Sequence, residues 1–161
     1  MSGIPIITKR RLQAEVIKPI YAQMASELGE EVAQRILDAA IRKAAITEAS
    51  ELAANGADGH TSLRTFIDLF ENWTAGGALE VDVRVATDEQ FDFDVTRCRY
   101  AETYHEMGIG HIGHLLSCNR DGAFCEGYDA NIKLQREQTI MSGAKRCTFR
   151  YRYEPQGPKD S

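Results

Sequence analysis

All four cysteines and three of the four histidines, with several carboxylates, fall within Cys98–Cys147 of this 161-residue chain at spacings that could bring some of them together. Cys98, Glu102 and His105 stand at i, i+4 and i+7, so a helix begun at Cys98 would carry all three on one face. His111, His114 and Cys118 follow the same arithmetic, and Asp121 comes nearly a turn later. A thiol beside a carboxylate and an imidazole is the equipment of nucleophilic catalysis, in which the thiolate attacks and the other groups move protons. The same donor types also bind zinc, and Cys98, Glu102, His114 and Cys118 would make a tetrahedral set that could activate a water. Free cysteines also serve as small buried hydrophobes, so a packed face with polar tips is the plain alternative.

Composition narrows the classes. A net charge of −5 lacks the basic stripe that nucleic acid demands, and no apolar run approaches a membrane span. The N-terminal residues do not read as a secretion signal, and a chain of this length needs no disulfide framework, so four reduced cysteines and a cytoplasmic location are expected. No Cys-x-x-Cys or His-Glu-x-x-His occurs, which argues against the common zinc signatures and leaves no cofactor as the first expectation, with zinc as the alternative. The expected partner is a small-molecule substrate, with no nucleic acid and no membrane; assembly into a homo-oligomer stays open.

The elements that must position these residues can be read in order. Residues 1–7 read as a loose lead, with Thr8 capping a first helix whose stripe is Leu12, Val16, Ile20, Met24 and Leu28. Pro19 predicts a kink or restart near Lys18, and Gly29 ends the helix. A second helix from Glu30 to about Leu52 carries Val32, Ile36, Leu37, Ala40, Ile41 and Ala44. Asn55-Gly56 and Asp58-Gly59 mark a loop, after which Thr61 or Ser62 caps a third helix that Gly76-Gly77 stops.

The period then changes to two. Leu79, Val81, Val83 and Val85, a turn at residues 87–90, and Phe91, Phe93 and Val95 predict a β-hairpin that delivers Cys98 at a strand end. A helix from Arg99 to Met107 breaks at Gly108 and resumes from Gly110 to Cys118. Asn119-Arg120-Asp121-Gly122 reads as a turn, and residues 123–128 as a short helix or loop. Asn131 to Met141 predicts a strand with Arg136 on its apolar face, where a guanidinium needs a carboxylate from the protein or from a ligand. Residues 142–144 turn the chain into a last strand with Cys147, Phe149, Tyr151 and Tyr153 on one side, and the tail from residue 155 is polar. The whole reads as a single α+β domain over residues 1–161, N-terminal helices packed on an antiparallel β-sheet with a helical insertion between hairpins.

Cys98-x3-Glu102, then Leu-Leu-Ser-Cys118-Asn-Arg-Asp121, then Arg136-x2-Thr139-Ile140-Met141-x-Gly143-x3-Cys147-x-Phe149-x-Tyr151, resemble the L-2-amino-thiazoline-4-carboxylic acid hydrolase family. The likeness covers about the last two-thirds of the chain. Its ending also faintly resembles the 4-vinyl-reductase-type small-ligand domains, which share an α+β layout. The first resemblance implies a hydrolase opening a cyclic amidine that carries a carboxylate. Cys118 with Asp121 would supply nucleophile and partner, with Cys98 as the rival thiol. Glu102 with His105 or His114 would supply the second carboxylate and proton transfers, and Arg136 with Thr139 would bind the substrate. None of the histidines falls on these motifs. A small-ligand sensor on the same scaffold, with no need of a reactive thiol, is the non-enzymatic alternative.

Overall fold

A computed structural model describes residues 3–56 and 59–155. Two long helices open the chain, α1 (Ile6–Leu28) and α2 (Glu30–Asn55), divided at Gly29, whose φ of 86° is open to glycine at little cost. α1 starts earlier than expected: Ile6 and Ile7 are helical, Pro5 is the N-cap, and no side chain caps the end. Nor does Pro19 break it, since the helix is continuous across that residue. The apolar stripe is also out of phase, because Arg10, Ala14 and Tyr21 face inward while Leu12, Val16, Ile20 and Leu28 stay exposed. Arg10, Ala14, Ile17 and Tyr21 recur at i, i+4, i+7 and i+11, and the small Ala14 allows close approach. α2 buries every fourth residue, Ala33, Leu37, Ile41, Ala45 and Ala49, an alanine seam rather than the bulkier stripe beside it. Of the expected loop after α2, Asp58 lies outside the described residues, as does the tail beyond Pro155.

α3 (Leu63–Thr74) begins in a capping box, with the Ser62 side chain accepting from Thr65 N–H and Thr65 Oγ1 accepting from Ser62 N–H. It ends in a 3₁₀ turn at Ala75–Gly77, Gly76 having a φ of 72°. The hairpin follows as β1 (Leu79–Ala86) and β2 (Gln90–Cys98). The β1 register is irregular at Glu80/Val81 and Val83/Val85, and Val83 is half exposed on this edge strand. β3 (Ile132–Gln135) and β4 (Cys147–Tyr153) complete a four-stranded antiparallel sheet in the order β1-β2-β4-β3.

One face of this sheet meets the helices. Phe91, Phe93 and Val95 from β2 and Cys147, Phe149 and Tyr151 from β4 pack with Ala49 of α2, Leu63 and Phe66 of α3, and Phe124. Each fully buried aromatic ring contributes roughly 1.5–3 kcal/mol from area alone, and rings such as Phe93 and Phe149, 4.8 Å apart and nearly parallel, fill the layer. The opposite face carries Asp92 and Asp94, paired with Arg152 and with Arg84, Arg146 and Arg150, as the period-2 alternation requires. The α+β architecture read from the sequence is the observed one.

The insertion between β2 and β3 departs most from the reading. α4 (Arg99–Glu106) ends at Gly108, φ 76°, and a 3₁₀ turn at Gly110–Ile112 leads to a π-helical turn, His114–Cys118. That runs unbroken into α5 (Asn119–Tyr128). Asn119 to Gly122 is therefore not a turn. Asn119 Nδ2 donates to Asp38 of α2 and Arg120 Nε donates to the Leu116 carbonyl, so the turn-like polar side chains dock a helix. The expected long strand at 131–141 is also shorter: it stops at Gln135, and Ile140–Ser142 forms a 3₁₀ turn capped by Thr139.

Candidate functional site

Between α1, α2, α3, α5 and the inner sheet face lies a cavity of about 80 Å³. Phe66, Phe70, Trp73, Val95, Tyr100, Phe124, Phe149 and Tyr151 give it apolar walls; its polar groups are Cys98, Cys118, Cys147, Asp121, Arg136, Thr139 and the trio Arg10, Glu48 and Arg120. By the scale on which a single water takes ~10–15 Å³, this is room for several waters or one ring-sized molecule.

β2 ends at Cys98, which is the N-cap of α4 and accepts the Ala101 N–H on its sulfur at 3.5 Å. Burial pushes its thiol up to about 11, against the pull of that hydrogen bond. Cys118 is raised further, first by burial and then by the Asp121 charge, with Arg136 opposing. Cys147 on β4 accepts the Ile140 N–H at 3.2 Å and is also raised by burial. Among these, Cys98 is the thiol with a helix start behind it, since Cys118 sits inside a continuous helical run with αR backbone.

Asp121 in the first turn of α5 accepts from Arg136 Nη1 at 2.7 Å, while Arg136 Nη2 donates to the Cys118 carbonyl at 3.1 Å and its guanidinium lies 5.0 Å above the Phe149 ring. Burial raises the Asp121 carboxyl to about 6 and Arg136 holds it from going higher. Its side chain is 26% exposed and it lines the cavity, where a ligand could reach it. Arg136 thus has the protein carboxylate as its partner, just past the end of β3 rather than within a strand. Thr139 lines the cavity while its hydroxyl shares a 2.6 Å hydrogen bond with Ser142.

Other expected members are elsewhere. Glu102 is exposed and takes Arg97 Nε at 2.9 Å, outside the cavity. His105 is exposed and packs where Gly110 leaves space, its Nδ1 only 2.2 Å from where a Cβ would stand. His111 is exposed and meets the Tyr21 ring edge-on at 6.0 Å; His114 is half-buried, and neither lines the cavity. The shared face fails for a physical reason: Cys98 has extended backbone, φ −126° and ψ 106°, so its side chain is not on the helical wheel of α4. The set Cys98, Glu102, His114 and Cys118 is accordingly not gathered, and no group of three or more His, Cys, Asp or Glu among the described residues could hold a metal ion.

The sequence reading missed Arg10 and Glu48, and it took Arg120 only as a possible activator of Cys118. Arg10 was hidden by the more apolar stripe beside it, although Ala14 and Tyr21 share its face; the helical place of Arg120 was hidden by its turn-like neighbours.

A sequence model of L-2-amino-thiazoline-4-carboxylic acid hydrolases matches residues 9–151. The chain belongs to that family. The match takes in α1 and α2, which the quoted motifs did not, and the family name denotes a hydrolase. No curated protein matches the chain. Among solved structures, it is similar in fold to trafficking protein particle complex subunit 3 from Naegleria fowleri covalently bound to palmitic acid. That likeness covers 92% of this chain and 96% of the other, with a TM-score of 0.50 and 12% identity. Among the described residues no helix is long and apolar enough to cross a membrane.

Proposed function

We propose that this member of the L-2-amino-thiazoline-4-carboxylic acid hydrolase family opens the C–N bond of a small cyclic amidine bearing a carboxylate, by covalent catalysis at Cys98. The observation that carries the reading is the meeting of Cys98, Asp121 and Arg136 on one small apolar cavity. With its thiol near 11, roughly one Cys98 in ten thousand is ionised at pH 7, so a base must take the proton during attack. Asp121, with a carboxyl near 6, is ionised at that pH and only weakly reluctant to be protonated. The Asp121 charge adds, after burial, to the proton affinity of the Cys98 thiol across the cavity.

The steps follow from these groups. Cys98 passes its proton to Asp121 as its sulfur bonds to the amidine carbon. The adduct collapses by breaking the ring C–N bond, and the departing nitrogen takes the proton from Asp121. Water then attacks the same carbon, yields a proton to Asp121, and Cys98 leaves as thiolate and regains that proton. An amidinium substrate would assist the first step, because its positive charge stabilises the thiolate it faces. Arg136 holds Asp121 in place and braces the Cys118 carbonyl, and Thr139 lines the cavity beside it.

The test is incubation with L-2-amino-thiazoline-4-carboxylate, following ring opening and intact mass. Cys98→Ser should abolish turnover with the fold retained; Cys118→Ser should keep measurable activity. Loss of turnover only in Cys118→Ser would give that thiol the role. A second reading is a ligand-binding pocket without turnover, favoured by thiols that are all held protonated and by the structural neighbour's covalently bound palmitic acid. The modest cavity volume suits a ring better than a long acyl chain. A mass increase of one acyl group on freshly purified protein, removed by hydroxylamine, would favour that reading.

A further inference from the structure

At the helix-lined end of the cavity, opposite charges are not balanced. Arg10 of α1 is 6% exposed and Arg120 of α5 is 9% exposed, and both line the cavity. Arg10 Nη1 donates to Gln13 Oε1 at 3.1 Å and Arg120 Nε donates to the Leu116 carbonyl at 2.8 Å. Their remaining N–H groups make no hydrogen bond among the described residues. One carboxylate serves both: Glu48 of α2 stands 3.7 Å from Arg10 Nη2 and 3.9 Å from Arg120 Nη1, beyond hydrogen-bonding distance, and its own side chain is 40% exposed. A buried guanidinium without a fitted anion is costly, and here two share one. Burial and the neighbouring Arg10 lower Arg120 to about 10, a sign of the same imbalance. At the sheet end, by contrast, Arg136 and Asp121 match one to one.

We infer that Arg10 and Arg120 form the anion subsite of this cavity and bind the carboxylate of its small-molecule ligand, a role that the sequence alone suggested for Arg136. The inference rests on the proposal that the ligand is a small carboxylate. A monocarboxylate suits the surplus of a single positive charge, and two guanidiniums approaching from different helices can each give it an N–H, the geometry in which arginine outperforms lysine. A ligand held there shares the cavity with Cys98 and Asp121. Arg10 and Arg120 are positioning residues for the chemistry at those groups.

The experiment is a calorimetric comparison of L-2-amino-thiazoline-4-carboxylate with its neutral carboxamide, on the full chain. The parent should prefer the carboxylate by about tenfold to a hundredfold. Arg10→Gln and Arg120→Gln should each erase most of that preference. Glu48→Gln, at a side chain open enough to tolerate change, should strengthen carboxylate binding, whereas a purely structural trio predicts weaker binding and lower Tm. If an arginine variant fails to fold, the Glu48→Gln result alone decides. A parent with no carboxylate preference, arginine variants that keep it, or a Glu48→Gln protein that binds the carboxylate less well would each overturn the subsite. The hydrolase reading fails separately: carboxylate preference without ring opening sinks that reading and leaves the subsite standing. Ring opening of acid and carboxamide at equal efficiency does the reverse.

Discussion

Asp94 and Asp121 both pair with arginine inside this protein, yet their carboxyls shift in opposite directions. Asp94 lies on β2 at the outer face, 2% exposed, and accepts from Arg84, Arg146 and Arg150 at 2.7 to 3.3 Å. Burial works to raise it, but the hydrogen bonds from Arg150 and Arg84 win and its proton affinity falls below the ordinary carboxyl value. Asp121 has Arg136 alone as a hydrogen-bonded cation, and there burial wins. The difference reflects burial weighed against the number of charge-assisted bonds, and not the mere presence of an ion pair. The three arginines of Asp94 are themselves a quarter to half exposed, which spares the network the full cost of burying cations.

The contrast can be broken in several ways. The largest effect is expected from Asp121→Asn, which should lower turnover of the thiazoline carboxylate by about a hundredfold to ten-thousandfold, the range for loss of a positioned base. A variant with near-parental kcat would remove Asp121 from the proton path. Asp94→Ala should instead destabilise the fold by roughly 2–4 kcal/mol in urea titration, three arginines losing their shared anion, with activity of the folded fraction retained. If its stability matches the parent, the outer network is ornamental. In the parent, kcat/KM should rise with pH through about 6, because only the ionised Asp121 accepts the thiol proton; a flat profile there would sink the assignment.

Stability should carry the two signs separately. Asp94, with its carboxyl lowered, stabilises the fold above the unfolded value of about 3.8 and loses that contribution as pH falls below it. Asp121, raised to about 6, favours the fold fully below 3.8 and loses that favour as pH climbs through 6. Denaturation between pH 3 and 7 should show the second slope vanish in Asp121→Asn while the first persists. The smallest effect belongs to Glu102→Gln. Its partner Arg97 is on the surface, so turnover should stay within about twofold of the parent; a severe loss would return Glu102 to the chemistry.

How much of this was legible depends on local geometry. The hairpin, the Ser62 cap and the break at Gly108 each announce themselves through side chains that act within a few residues. The motif thiols Cys98, Cys118 and Cys147 were picked out in sequence and do border one cavity. Glu102 and His105 were assigned by helical spacing from Cys98, and an N-cap is not on that helix's wheel. His114 lost register because a 3₁₀ turn and then a π-helical turn precede Cys118, neither of which keeps 3.6 residues per turn. Arg10 illustrates a third limit: in α1 two faces offered a four-residue period, and the less apolar one was buried because it carries Ala14 and Tyr21.

Gly127 sets a dimension that none of the polar residues controls. A Cβ there would stand 2.3 Å from the Ile46 carbonyl oxygen and 3.0 Å from the Ala49 methyl, so α5 can lie against α2 only because that atom is missing. α5 carries Arg120, Asp121 and Phe124, whereas Glu48 belongs to α2. The gap between the helices is therefore a calliper closed on a single glycine, and one added methyl would wedge it open. The size of the cavity in this scaffold could change by widening that jaw, with no substitution of any side chain that lines it.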